Sequence, residues 1–215
     1  MGAQLVGTVV EEALGRLDSA VSELTQLALY SLSQEQLLTV IRRFETIRRR
    51  MPVVDHALVS ELEARSVADT VGARNTPAVL RDVLRLAPSE ANARVQAARR
   101  LGPRETVTGA VLDPVFPQVA AAQAAGDVSA EQARVITTTI EELPATVRAG
   151  HGGSVEQTLV EAAGRFDPVT LGRLGRHLQA VLDPDGTLAS EQDQQRRRAA
   201  TLTTHRDGSG NSART

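Results

Sequence analysis

The chain has 215 residues, a formal net charge of −2 and 41% apolar residues. It is long enough to bury a core, and its charge excludes a uniformly basic nucleic-acid-binding surface. It contains no cysteine, which excludes disulfides, thiolate nucleophiles and zinc sites with cysteine ligands. Aromatic residues are only 2%, so we expect a core of leucine, valine and alanine in close-packed helices.

The N-terminal residues 1–30 are predicted to form an amphipathic helix. Acidic residues interrupt this segment where a signal peptide would need an apolar stretch, and no part of the chain approaches the ~18 apolar residues of a membrane span. We therefore expect a cytoplasmic protein with no membrane partner. Steps of three and four separate the apolar residues of the helix: Val6, Val10, Ala13, Leu17, Val21, Leu24 and Ala28. This stripe predicts a helix that pairs with a partner, for example in a homo-oligomer.

Residues 31–186 are predicted to form a multi-helix bundle. Ser33 and Gln36 have the spacing of a capping box at the start of a helix. Pro52 interrupts the apolar pattern of that helix, so a kink or a break is expected there.

Residues 76–101 predict two helices joined by a tight turn, an arrangement that resembles a helix–turn–helix. Thr76 and Ser89 are the expected N-caps. On a helical wheel the second helix has a buried arc made of Ala91, Val95, Ala98 and Leu101, and an opposite face made of Asn92, Gln96, Arg99 and Arg100.

This opposite face is the candidate surface for double-stranded DNA. Asn and Gln side chains can pair with adenine edges, and Arg can reach guanine or phosphate. The alternative is a helical hairpin whose arginines only keep an exposed face in solution.

Arg94 and Arg134 occupy equivalent places in two similar segments, SEANARV from Ser89 and SAEQARV from Ser129. Arg94 falls within the apolar arc of its helix. An arginine at the edge of a buried face needs a carboxylate or carbonyl partner. Both are therefore predicted to be structural residues, each held by another helix.

The remaining segments predict more helices, followed by a polar segment that is not helical. A short helix should end at Gly126, and Ser129 should cap the next helix. His151-Gly-Gly should form a loop that precedes a helix capped by Ser154. Asp167 should cap the last helix. Residues 187–215 form a polar tail, in which residues 200–205 predict a β-strand without a partner strand.

Catalytic machinery is not evident in the sequence. The four histidines are scattered, and no metal-binding spacing, phosphate-binding glycine loop or nucleophile elbow occurs. We expect no enzyme activity, no metal site and no cofactor.

The ordered segments TPAVLRDVLRLAPSEANARVQAARRL, QAAGDVSAEQARVI and EQDQQRRRAATLTTHRDGSG resemble the mycobacterial 13E12 repeat family. These actinobacterial proteins carry domain of unknown function 222. The resemblance extends over residues 30–210 and implies an association with mobile elements and with an HNH endonuclease domain that usually follows. That nuclease uses a His-Asn-His metal site, often with zinc-binding cysteines, and no residue of this chain matches its motif. The chain is therefore expected to be a truncated member.

Three hypotheses follow. The first is a non-catalytic helical domain of an HNH-endonuclease-associated protein that binds DNA. The alternatives are a helical interaction or dimerisation module, and a truncated remnant without activity.

Overall fold

The computed structural model of the chain describes residues 2–106 and 108–184. Two short strands, β1 Arg104–Glu105 and β2 Val111–Leu112, pair antiparallel, and a 3-10 turn covers Leu29–Ser31. The predicted all-α class is confirmed. The predicted strand at 200–205 lies outside the described residues, as does the tail that contains it. The described helices are α1 Gly2–Gln26, α2 Gln34–Ala64, α3 Val67–Thr70, α4 Thr76–Leu84, α5 Pro88–Leu101, α6 Pro117–Ala125, α7 Ala130–Glu141, α8 Ala145–Ala163 and α9 Pro168–Leu182.

The chain divides into two compact units, residues 1–45 and 46–215. The first unit contains α1, the 3-10 turn and the start of α2. The predicted capping box is confirmed: the Gln36 amide donates to Ser33 Oγ at 3.2 Å and the Ser33 amide donates to Gln36 Oε1 at 2.9 Å.

Helix α2 continues through Pro52 to Ala64. Of the two predicted alternatives, the break into two helices is therefore wrong, and the kink stays a prediction. A proline inside a helix removes one backbone hydrogen bond at a cost of about 3 kcal/mol. The helical residues that follow, His56 and Val59, are buried in the second unit. We infer that this burial offsets the cost and keeps the helix continuous.

The larger core of the second unit lies among α6, α7, α8 and α9. Helix α7 supplies Ala133, Ile136 and Ile140 at steps of three and four, the period that directs one helix face inward. The predicted cap of this helix is confirmed, because the Gln132 amide donates to Ser129 Oγ and the Ser129 amide donates to Gln132 Oε1. Helix α9 is likewise capped by Asp167, as predicted.

A smaller core joins α4 and α5 to the C-terminal half of α2, through Val59, Leu80 and Val95. The predicted helix pair is present, but both of its predicted caps are wrong. Asn75, not Thr76, is the N-cap of α4, since its Oδ1 accepts from the Ala78 amide at 3.0 Å; asparagine is a better N-cap than threonine. Helix α5 begins at Pro88 without a side-chain cap, because proline at the first helical position is already set to the helical φ.

Helix α8 passes through the segment His151-Gly-Gly, where a loop was predicted, so that prediction is wrong. Ser154 lies inside the helix and donates to the His151 carbonyl at 2.8 Å. Each glycine costs about 1 kcal/mol relative to alanine in a helix. Val155 and Leu159 are buried in the larger core on the C-terminal side of the glycines, and this packing overrides the local preference.

The buried carboxylate of Glu156 in α8 holds the first turn of α6. Its Oε1 accepts from the backbone amides of Gln118 and Val119 at 2.8 and 2.9 Å. These amides have no partner within α6, since the first turn of any helix leaves its N–H groups free. Glu156 therefore fixes the start of α6 against α8.

Candidate functional site

The second helix of the predicted pair has the orientation expected from its wheel. Its buried residues are the four predicted ones, Ala91, Val95, Ala98 and Leu101. On the other side, Asn92, Gln96 and Arg99 are exposed and Arg100 is half-buried. The Asn92 side chain donates to the Pro88 carbonyl of its own helix at 2.8 Å.

Both arginines of this face are bound by carboxylates from other helices. Arg99 makes a two-pronged contact with Glu63 of α2, with Nε 3.1 Å from Oε2 and Nη2 2.6 Å from Oε1. The hydrogen bond to Glu63 raises the pKa of Arg99. Arg100 forms the same kind of fork with Glu141 of α7. Each fork brings a positive and a negative charge together, so the pair has no net positive charge that could attract a phosphate.

Arg94 and Arg134 also have carboxylate partners. Arg94 contacts Glu90 of its own helix at 2.7 Å and Asp55 of α2 at 3.4 Å, so it joins two helices. The described bonds of Arg134 are to Glu131 within α7, at 2.5 and 3.0 Å. The structural role of the two arginines stays a prediction, and only Arg94 has a described bond to another helix.

The two similar segments come together on the walls of one groove of about 980 Å³ in the second unit. Ala93 and Arg94 of α5 line it, and so do the equivalent Ala133 and Arg134 of α7. The C-terminal half of α2 contributes apolar side chains, which are Met51, Val54 and Leu58. The groove is within the size range of small-molecule sites, which is roughly 300–1,000 Å³.

Two buried polar side chains also line this groove. Gln123 of α6 is only 1% exposed, and its Oε1 has no hydrogen-bond partner. A buried acceptor without a donor costs about 1–3 kcal/mol. His56 of α2 is 4% exposed, and burial lowers the pKa of its imidazole, with Asp55 opposing that effect. The ring is therefore neutral near pH 7, with one N–H donor and one acceptor nitrogen.

Neither Gln123 nor His56 was expected from the sequence to belong to a site. A local signal for burial existed, because Gln123 follows the buried Val119 by four residues and His56 precedes the buried Val59 by three. These spacings put each pair on one helix face. What the sequence does not show is that α2, α5, α6 and α7 meet at the same groove.

Helix α1 in the first unit presents a second kind of surface. All of its described side chains from residue 7 to residue 26 are exposed. Its apolar residues include a row spaced alternately by four and three, the a and d positions of a heptad repeat. We call this row the α1 seam, and it consists of Val10, Leu14, Leu17, Val21 and Leu24, each between 40% and 51% exposed.

Among residues 2–106 and 108–184, no group of three or more His, Asp or Glu side chains is placed to hold a metal ion. No helix in these ranges is both long enough and apolar enough to cross a membrane.

Comparison with known proteins identifies the family. An uncharacterized protein of Mycobacterium tuberculosis is 32% identical over 190 residues, which are 88% of this chain and 41% of that relative. Another protein of this species, also uncharacterized, is 32% identical over 193 residues, covering 90% of this chain and 42% of its own length. An uncharacterized Mycobacterium bovis protein is 31% identical with the same coverage.

The chain thus spans less than half the length of these curated relatives. No solved structure matches it. The family model described as "Domain of unknown function (DUF222)" matches residues 38–212. The chain therefore belongs to the DUF222 family, as the resemblance in its sequence predicted.

Proposed function

We propose that this DUF222 chain is a non-catalytic helical assembly module, in which α1 of one copy pairs with α1 of a second copy. The observation that carries the proposal is the α1 seam. Its residues are at the 3.5-residue spacing that keeps one helix face against a partner along a coiled coil. In a helix without a partner, this row of apolar side chains would stay in contact with water, which is unfavourable.

A second copy of the chain suits this seam by its charge. The positions next to the seam carry Ala13 and Ala20 on one side and Glu11 and Asp18 on the other. In a parallel pair the alanine side of one helix faces the acidic side of the other, so no like charges are brought together. The small alanines also allow close approach of the two helices.

The energy available allows association at tens of micromolar or above when the cost of association is at its lower bound of about 4 kcal/mol, because about 6 kcal/mol then remain. Each seam side chain is about half exposed, so its complete burial adds about 1 kcal/mol. A pair of helices therefore gains about 10 kcal/mol, against an association cost of about 4–15 kcal/mol. Ordering of α1 subtracts from this gain, because an isolated helix that contains Gly7 and Gly15 is marginal in water and must be ordered when it pairs.

The two valines Val21 and Val9 provide a matched experiment. Val21 belongs to the seam and Val9 does not, although the two are 50% and 57% exposed. We expect light scattering to give a dimer for the wild type and for Val9→Glu, and a monomer for Val21→Glu. A wild-type monomer at high concentration, or an equal loss of dimer in both variants, would refute the proposal.

DNA contact through Asn92, Gln96, Arg99 and Arg100 stays a prediction, and the ion pairs do not favour it. Arg99 and Arg100 would have to release Glu63 and Glu141 before they could bind phosphate or guanine. The association with an HNH nuclease likewise stays a prediction from the resemblance.

A further inference from the structure

The groove between α2, α5 and α7 contains an acceptor that the fold itself does not satisfy. Native proteins pair nearly all of their buried polar atoms, so each exception asks for an explanation. Among the described residues, every buried side-chain nitrogen and oxygen atom has a hydrogen-bond partner except Gln123 Oε1. It belongs to a residue that lines the groove, and a molecule bound in the groove could supply the missing donor.

The glutamine amide can turn toward such a molecule. The last torsion of a glutamine side chain is broad and roughly two-fold, so a flip that exchanges the amide oxygen and nitrogen keeps the buried shape of the side chain. Position 123 is held in place while the amide moves, because Glu156 ties the N-terminus of α6 to α8.

The charges around the groove favour an uncharged ligand. Three of the arginines that line it, Arg94, Arg100 and Arg134, are each bound to a carboxylate. A charged molecule would have to break one of these pairs or be buried without a partner, which is costly. The apolar walls of Met51, Val54, Leu58 and the alanines of α5 and α7 suit a hydrocarbon or aromatic body instead.

We propose that this groove is a binding site for an uncharged, largely apolar small molecule that donates one N–H or O–H hydrogen bond to Gln123 Oε1. The neutral imidazole of His56 offers a second polar contact in the same groove. This site lies in the second unit of the chain and does not depend on the pairing of α1, so the two proposals can fail separately.

Indole and 1-methylindole form a matched pair of probes. Both are flat, apolar and uncharged, but only indole has an N–H donor. Each is titrated into the full-length, isotope-labelled protein at millimolar concentration and followed by amide chemical shifts. We expect shifts of the groove residues with both probes, and indole binding about fivefold more tightly, the factor of one net hydrogen bond.

Two variants distinguish the contribution of the hydrogen bond to Gln123 from the contribution of the apolar groove. Gln123→Leu removes the acceptor and should abolish the preference for indole while 1-methylindole still binds. Ala97→Phe puts a phenyl ring into the groove, leaves Gln123 unchanged and should weaken both probes. The dispersion of the amide spectrum checks that each variant is folded.

Equal affinity of indole and 1-methylindole for the wild-type protein would overturn the proposal. So would shifts that map away from the groove, no shifts at millimolar probe, or an unchanged preference for indole in Gln123→Leu.

Discussion

Replacing Glu156 tests how α6 is held, since this carboxylate is 4% exposed and accepts two backbone amides with one oxygen. Glu156→Ala leaves the amides of Gln118 and Val119 without a partner. A buried donor left unsatisfied costs about 1–3 kcal/mol. The Val119 bond is buried and the Gln118 bond only partly so, and we therefore expect a total loss of about 2–4 kcal/mol. For a chain of this size the midpoint of thermal unfolding should fall by about 5–15 °C.

Glu156→Gln is the matched control, because its amide oxygen can accept both bonds without a charge. It should cost less than about 1 kcal/mol. Burial raises the pKa of Glu156 above its ordinary 4.5, although the two amides oppose this. The folded protein therefore holds that proton more tightly than the unfolded chain does. The contribution of Glu156 to the free energy of unfolding decreases as the pH rises from 4.5 to the folded-state pKa, and the Gln variant lacks this decrease.

Urea unfolding followed by far-ultraviolet circular dichroism measures both variants across this pH range. Equal stability of Glu156→Ala and the wild type would refute the reasoning, because it would mean that the two amides find other partners. A loss in Glu156→Gln as large as that in Glu156→Ala would show that the charge, and not the acceptor, holds α6.

Three further predictions use the same unfolding measurement. Burial lowers the pKa of His56 below 6.5. The contribution of His56 to the free energy of unfolding is therefore complete above pH 6.5 and is lost as the pH falls to the folded-state pKa. His56→Gln should remove this part of the pH dependence, and a pH profile identical to that of the wild type would contradict the prediction. Gly153→Ala should stabilise the protein by about 1 kcal/mol, because the added methyl group meets no atom within 4 Å; destabilisation would indicate the loop that the sequence suggested. Gly175→Ala should destabilise by about 1–3 kcal/mol, since its methyl group would lie 2.6 Å from Thr139 Oγ1; no loss would mean that α7 and α9 are further apart.

Features that depend on neighbouring residues could be predicted from the sequence. The buried arc of α5 follows from the 3.6-residue period of a helix, and the capping box at Ser129 follows from a three-residue spacing. The end of α6 at Gly126 could also be predicted from neighbouring residues. Gly126 has a positive φ of 88°, which glycine adopts without strain.

Features that depend on residues distant in sequence could not be predicted. The partner of Arg99 is Glu63, 36 positions away, and nothing in the sequence pairs them. The groove likewise requires four helices to meet, and Gln123 appears in the sequence only as a polar residue in an alanine-rich helix. In α8 the local signal was misleading, since the core packing of Val155 and Leu159 holds a helix through glycines that predict a loop.

The distance between two copies of α1 tests the proposed assembly most directly. The chain has no cysteine, so Ser19→Cys places a single spin label on the side of α1 away from the seam. Two helices of about 10–12 Å diameter side by side span about 20–24 Å, and the arms of the two labels lengthen this, so pulsed dipolar spectroscopy should show one defined inter-chain distance a little above that span. The same labelled chain with Val21→Glu should give none. A wild-type chain that shows no inter-chain coupling at about 500 micromolar, roughly ten times the expected dissociation constant, would contradict the proposal that α1 pairs with a second copy.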